Sequence, residues 1–481
     1  MKSVRSAVRI GSHVWAATSG GVFVYDTTMT SYTKYTNVDG LSSNDLYTIG
    51  TDIAGRIWVG ASNGSINVYD QTSQKWLAIS DIYENGTYTT KTVHQFLSKG
   101  DSMLVVSDFG VSIFRLSKWE FGDTYSNFAF ASTPSVSCAA LQGNRLWVGT
   151  SLGVTVGVLG SSSTVLWNSV YTTLGSLGTT VVSAMAIFHD TLIVGTSAGA
   201  VFFDAATNTF QPISALAGKN IVDFQCDTLH NRLLVLLAGD GLKVLSSIDG
   251  STMSLYLPYT SAVSAFTQND FSRLASSGNG IVEWNNGTWN ARVPNGPYST
   301  NFSSVIVDNK GVLWCAGGEV SLSGFYRYNP ALMDMLQWKN FNSDNSIWMH
   351  DHSGNASNGC HKVSQGLNGS VWVSTWGNGF YVVENDSVVN RIDHYTVKPG
   401  LSVAEAKDID FVVGSGTAID ASGQLWLALY NTYNGNSLTK LMSDSTDSLY
   451  ANNTSNYGGF VDITIDQYDT KWFSCALPEH T

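Results

Sequence analysis

Three of the nine histidines of this chain fall within twelve residues, His350 and His352 in Trp348-Met349-His350-Asp351-His352, and His361 beside Cys360. Imidazole and thiolate are the ligand types that zinc and related ions take, and a His-x-His pair followed by Cys-His supplies four of them. A metal site at His350, His352, Cys360 and His361 is the sharpest chemistry these residue types offer. Against it, the segment is rich in Gly, Asn and Ser and reads as a loop, where polar residues often bind no metal. There is no Gly-x-Ser-x-Gly elbow, no His-Glu-x-x-His and no phosphate loop, and the carboxylates are scattered rather than paired. No enzyme activity, catalytic residue or cofactor is therefore expected. Asp26, Asp70 and Asp204, each after an aromatic residue at a strand end, read first as turn formers. As a ring of carboxylates they would leave room for a structural calcium ion.

The His-rich segment interrupts a repeat, and the repeat must position it. Trp15, Trp58, Leu104, Trp147, Ile193, Leu234, Leu274, Trp314, Trp372, Trp426 and Trp472 occupy one recurring place. The first eight are spaced by 40 to 46 residues, and the next intervals are 58, 54 and 46. In the best-formed unit, Asp52-Ile53-Ala54-Gly55 is a turn, Ile57-Trp58-Val59 an apolar strand and Asn63-Gly64 a second turn. Ile66-Asn67-Val68-Tyr69 comes next as a strand expected to alternate in and out, and Gln74-Lys75-Trp76-Leu77 completes the unit. Four short antiparallel strands per unit are the content of one propeller blade. The tryptophans at the fixed place read as packing between blades, in preference to a carbohydrate or aromatic ligand site. The small residues after them, as in Gly60-Ala61-Ser62, let neighbouring strands approach.

The expected fold is an all-β propeller: one ring of about seven blades over 1–296, then about four blades of a second, incomplete ring over 297–481. The boundary is placed at Pro294-Asn295-Gly296-Pro297, and a split of six plus five is the alternative. Repeats that run into both ends predict a piece of a longer protein. Met1-Lys2-Ser3-Val4-Arg5 leads into no apolar stretch of the kind an export signal needs, so a signal would lie outside these residues.

Composition narrows the partners. Charged residues are 13% of the 481, about half the usual share, while hydrophobic residues reach 43%. The net charge of −12, with no basic cluster, argues against nucleic acid. The longest apolar run, Leu233 to Ala238, is far short of the ~20 residues that cross a bilayer. Cys138, Cys226, Cys315, Cys360 and Cys475 are odd in number and widely spaced, which argues against a disulfide framework, and Cys138, Cys226 and Cys315, in strand-like contexts, are expected to be buried free thiols.

Leu146-Trp147-Val148-Gly149-Thr150-Ser151-Leu152-Gly153-Val154 resembles the two-component-regulator propeller repeat. The segments between repeats are more specific. Gly40-Leu41-Ser42, Ile79-Ser80-Asp81-Ile82, Ser107-Asp108-Phe109-Gly110-Val111-Ser112-Ile113-Phe114 and Asp123-Thr124-Tyr125 succeed one another as in the N-terminal propeller of PorZ-like proteins. Pro294-Asn295-Gly296-Pro297 and Ser374-Thr375-Trp376-Gly377-Asn378-Gly379 resemble that family's second propeller. The resemblance implies two seven-bladed propellers and a C-terminal β-sandwich, the last absent from these residues. It implies a place on the bacterial surface with the type IX secretion system, helping to attach anionic lipopolysaccharide to cargo together with a sortase.

The function expected is therefore a non-enzymatic, extracytoplasmic binding or scaffold protein, in the periplasm, on the outer membrane or secreted. Its partners would be proteins of a secretion or signalling system, or a polysaccharide or lipopolysaccharide. A periplasmic sensor propeller that binds oligosaccharide is the alternative, and a propeller hydrolase the second alternative. The hydrolase reading would gain from acidic side chains clustered at a channel mouth.

Overall fold

The structure is a computed structural model; it describes residues 1–160, 167, 169–248, 252–255, 262–268, 271–276, 278–285, 288–397, 400–405, 407–441, 447–450 and 459–475, with 252–255, 262–268, 271–276, 284–285 and 447–450 as backbone only. The described residues form an all-β propeller, as the repeat predicts. The chain divides into two compact units, Met1–Pro294 and Asn295–Thr481.

In the first unit seven four-stranded antiparallel sheets succeed one another, at 4–35, 46–79, 93–125, 136–171, 182–212, 221–255 and 262–292. They are numbered blades 1 to 7. Their first strands are Val4–Ile10, Leu46–Thr51, Val93–Lys99, Val136–Gln142, Val182–Phe188, Ile221–Asp227 and Ala262–Gln268. Each packs against the next, and the Ala262–Gln268 strand packs against Val4–Ile10, so the ring closes. At the closure the Gly280 N–H donates to the Lys2 carbonyl over 2.8 Å, and Val4 and Ile281 share one core cluster. The second unit holds four-stranded blades 8 to 10 at 304–341, 360–392 and 412–450, and a strand pair at 460–475. Its blades 9 and 10 are joined, since the end of the second strand of blade 9, Val371–Gly377, also pairs with the start of the first strand of blade 10, Val412–Ile419.

All eleven recurring positions lie on the second strand of their sheet. Trp58 and Trp147 are fully buried, Trp15, Trp314 and Trp372 nearly so, whereas Trp472 is 59% exposed. One expectation needs correction. The third strand Ile66–Asp70 is buried along both faces instead of alternating between core and solvent. This strand is sandwiched between two other blades, so neither of its faces meets water, unlike the outermost strand Lys75–Ile79, most of which is exposed. The glycines after the key residue permit that stacking: a Cβ on Gly60, Gly149 or Gly195 would lie 2.6–2.7 Å from Val93, Val182 or Ile221, the first residue of the next blade.

The Asp-initiated turns also bind the tryptophans. Asp52 Oδ1 accepts from the backbone of Ala54 and Arg56, and its Oδ2 accepts from the Trp58 indole at 2.9 Å. Asp308, Asp420 and Asp466 repeat this on Trp314, Trp426 and Trp472, each at 2.9 Å. Asp26, Asp70 and Asp204 cap their hairpins through the backbone of Thr28, Thr72 and Ala206. The five cysteines are free; Cys138 and Cys315 are buried as expected, Cys226 is only half-buried, Cys360 is buried and Cys475 is exposed. No helix among the described residues is long and apolar enough to cross a membrane.

Candidate functional site

The first strand of a blade is interrupted at its second residue by a β-bulge. In blades 1 to 6 the bulged residues are Arg5, Tyr47, His94, Ser137, Ser183 and Val222. Bulges turn a side chain out of the ladder and recur beside binding sites. The first strands line the channel, so these positions ring one mouth of it. Antiparallel pairing brings the hairpins between second and third strands, and the links from one blade to the next, to that same end.

Blades 1 to 3 fill this mouth with a connected polar network. Arg5 pairs with Asp45 at 2.8 Å, and Asp45 also accepts from the Ser62 hydroxyl at 2.8 Å. The Arg5 guanidinium lies 5.9 Å from the Tyr47 ring centre, and the Tyr47 ring meets the His94 ring edge-on at 5.2 Å. His94 Nε2 lies 2.7 Å from Asp108 Oδ1, whose other oxygen accepts from the Thr92 backbone at 2.7 Å. In a chain with so few charges, an Arg, a His and two Asp on one rim are a concentration.

Beside Asp108 a cavity of about 170 Å³ opens between the link that follows blade 2 and the third and fourth strands of blade 3. Tyr88 and Phe109 stack along it at 3.9 Å and 8°. Asp81, Asn85, Ser112 and Thr124 supply polar groups, and the hydroxyls of Ser112 and Thr124 are 2.9 Å apart. Asp81 opens a single helical turn, Asp81–Glu84, held where the Ser80 hydroxyl donates to Glu84 at 2.7 Å. Asp81, Phe109, Ser112 and Thr124 all come from the between-repeat segments that carry the family resemblance. Segments well separated along the chain thus line one cavity.

The four residues singled out for metal binding are placed apart in role. His352 Nε2 lies 2.9 Å from Asp393 Oδ2 and 2.7 Å from Arg391, and Arg391 also donates to Asp393 at 2.7 Å. Its ring meets the Tyr395 ring at 4.4 Å. His350 offers its backbone carbonyl to Asn378 and Arg391, while its Nδ1 is buried without a partner. Cys360 begins the first strand of blade 9 and is wholly buried in its core, where burial pushes the thiol pKa up. His361 is the bulged residue of that blade. Burial, with the nearby Lys362 charge, holds the His361 pKa down at about 4, against a backbone hydrogen bond at Gly414. Among the described residues no group of three or more His, Cys, Asp or Glu side chains is placed to hold a metal ion. The histidine insert is instead pinned to blade 9 through Arg391 and Asp393. Sequence reading missed the mouth network, whose members are scattered over three blades and their links; the second position of each first strand was the available signal.

A closed ring of four-stranded antiparallel sheets defines a β-propeller. Residues 14–162 match the family described as TSS9, PorZ, N-terminal beta-propeller domain, which bears out the resemblance read from the sequence. PorZ of Porphyromonas gingivalis, described as an essential bacterial surface component of the type-IX secretion system, has a similar structure. The two share 16% identity and a TM-score of 0.68 over 98% of this chain and 62% of that one. This chain therefore spans under two thirds of that PorZ. The extracellular domain assigned to a hybrid two component system of B. thetaiotaomicron aligns at 17% identity and a TM-score of 0.48, over 98% of this chain and 68% of that one. No curated protein matches the sequence.

Proposed function

We propose that the protein is a non-enzymatic binding or scaffold component of a bacterial surface, akin to PorZ, and that the mouth of its first ring holds a saccharide. The observation that carries this is the cavity built from the resemblance-bearing segments. It sets a flat aromatic wall, Tyr88 on Phe109, against hydroxyl, amide and carboxylate groups. Sugar rings offer an apolar C–H face and a hydroxyl edge, and such a wall with a few convergent polar groups suits both. The rim carboxylates hold the mouth together: Asp45 binds Arg5 and Ser62, and Asp108 binds His94 and the Thr92 amide. The description of PorZ as a bacterial surface component of type IX secretion supports an extracytoplasmic location and secretion proteins as partners; the polysaccharide or lipopolysaccharide ligand is what the family resemblance implies.

The test is calorimetric titration with delipidated polysaccharide from anionic lipopolysaccharide. Tyr88→Ala and Asn85→Ala should each weaken binding at least tenfold, with melting temperatures close to wild type. Absence of saccharide binding by the wild-type protein, or binding indifferent to both changes, would sink the proposal.

A further inference from the structure

The face opposite the mouth carries the hairpins that join first to second and third to fourth strands. There the seam between blades 1 and 2 does not fill. A cavity of about 220 Å³ remains, smaller than the ~300–1,000 Å³ that holds a drug-sized ligand and scaled to a single ring. Its aromatic wall is the half-buried Tyr35, backed by Trp15 and Tyr69, which are nearly buried at 6% and 7% exposure. Trp15 and Tyr35 lie parallel within 1° at 5.9 Å, and Tyr69 sits 5.3 Å from Trp15 and 5.2 Å from Tyr35, so the rings cluster as one wall.

Its polar groups are partly uncommitted. The Tyr35 hydroxyl donates to the Tyr69 oxygen at 3.2 Å, which leaves the Tyr69 proton to donate elsewhere. Burial, then the Tyr69 hydrogen bond, raises the Tyr35 pKa, so this phenol stays neutral and remains a donor. Gln71 donates its amide N–H to the Gly55 carbonyl at 2.6 Å, which fixes the side chain and leaves its carbonyl oxygen as an acceptor. Gln74, at a hairpin position with a φ of 55°, and His13 complete the rim. No Lys or Arg lines the cavity, so nothing there neutralises an anion.

We propose that this seam is a second saccharide subsite, taking one uncharged pyranose residue with its C–H face on the aromatic wall and its hydroxyls on Tyr69, Gln71 and Gln74. The proposal rests on the reading that the protein binds saccharide, and it adds a contact on the face away from the mouth. A chain held at both faces would be gripped at two points rather than one.

The test uses the whole chain and the methyl glycosides of glucose, galactose, mannose and N-acetylglucosamine, read by saturation-transfer NMR and tryptophan fluorescence. At least one glycoside should bind and perturb the fluorescence. Tyr69→Phe and Gln74→Ala should each weaken it at least fivefold, at unchanged melting temperature. If glycosides or polysaccharide bind but respond only to the mouth variants, the seam subsite is wrong and saccharide binding stands. If polysaccharide binds and no glycoside does, the seam is again overturned. If no saccharide binds at all, both proposals fall together.

Discussion

Asp308 and Asp420 each bind a turn and a tryptophan with the two oxygens of one carboxylate. Burial opposes the charge on both, yet the indole and backbone hydrogen bonds outweigh it and hold the pKa below the usual carboxylate range. The sign of the pH dependence comes from linkage. A depressed folded-state pKa adds stability above the unfolded value of ~4, and that stability is lost as pH falls from there toward the folded value. The Asp420→Asn protein should be less stable than wild type at pH 7 by about 1–3 kcal/mol. The gap should narrow near pH 3, as urea unfolding at both pH values would show; a gap independent of pH would contradict this account. The sequence displays the turn and the tryptophan separately. The Asp-x₅-Trp spacing that joins them was on view but carries no meaning until the strand register brings the indole back over the turn.

At the scale of the element, the hairpin between second and third strands is closed by a hydroxyl and a glycine. Thr150 Oγ1 donates to the Gly153 carbonyl at 2.9 Å, and Thr18, Ser107 and Thr196 do the same in their blades. Gly153 has a φ of 128°, and a Cβ there would lie 2.1 Å from the Tyr171 carbonyl oxygen. Gly153→Ala should therefore cost more than about 1 kcal/mol, seen as a lower melting temperature. The His-rich insert is a different kind of element, since its His350–Ala356 bridge closes the insert on itself and it leans on one buried carboxylate. Asp393 bonds His352, Arg391 and the backbone of Tyr395 and Thr396. Asp393→Asn should speed amide exchange across residues 350–357 while the strands of blade 9 stay protected; unchanged exchange would show that the insert stands without this anchor. Strand existence was legible throughout, because the turn, apolar strand and small-residue order repeats within 40 to 58 residues. The insert was legible as a break in that order, but its anchors were not, because Arg391 and Asp393 lie 39 and 41 positions beyond His352. The mouth was hidden for the same reason: its network forms only when blades 1 to 3 stand side by side.

For the molecule as a whole, the closing contact decides how the first unit behaves. A ring of sheets has no free edge between blades only if the last packs on the first. Val4, Val14, Phe23 and Tyr25 of blade 1 meet Ile281 of blade 7, and all five are buried. Ile281→Ala removes that contact at a site already filled from the other side, and a buried Ile→Ala change costs about 2–5 kcal/mol. Because each blade depends on two neighbours, the loss should not stay in blade 7. Hydrogen exchange in mild denaturant should show protection falling together across the seven blades of Met1–Pro294, with Asn295–Thr481 unaffected. Faster exchange confined to 262–292 would mean that the blades are stable singly and that closure contributes shape without cooperativity. The two outcomes also bear on the mouth. If closure couples the blades, the Arg5, Tyr47 and His94 contacts across blades 1 to 3 loosen in the same variant. Saccharide affinity should then fall with stability, although Ile281 is remote from Tyr88 in the sequence and lines no part of its cavity.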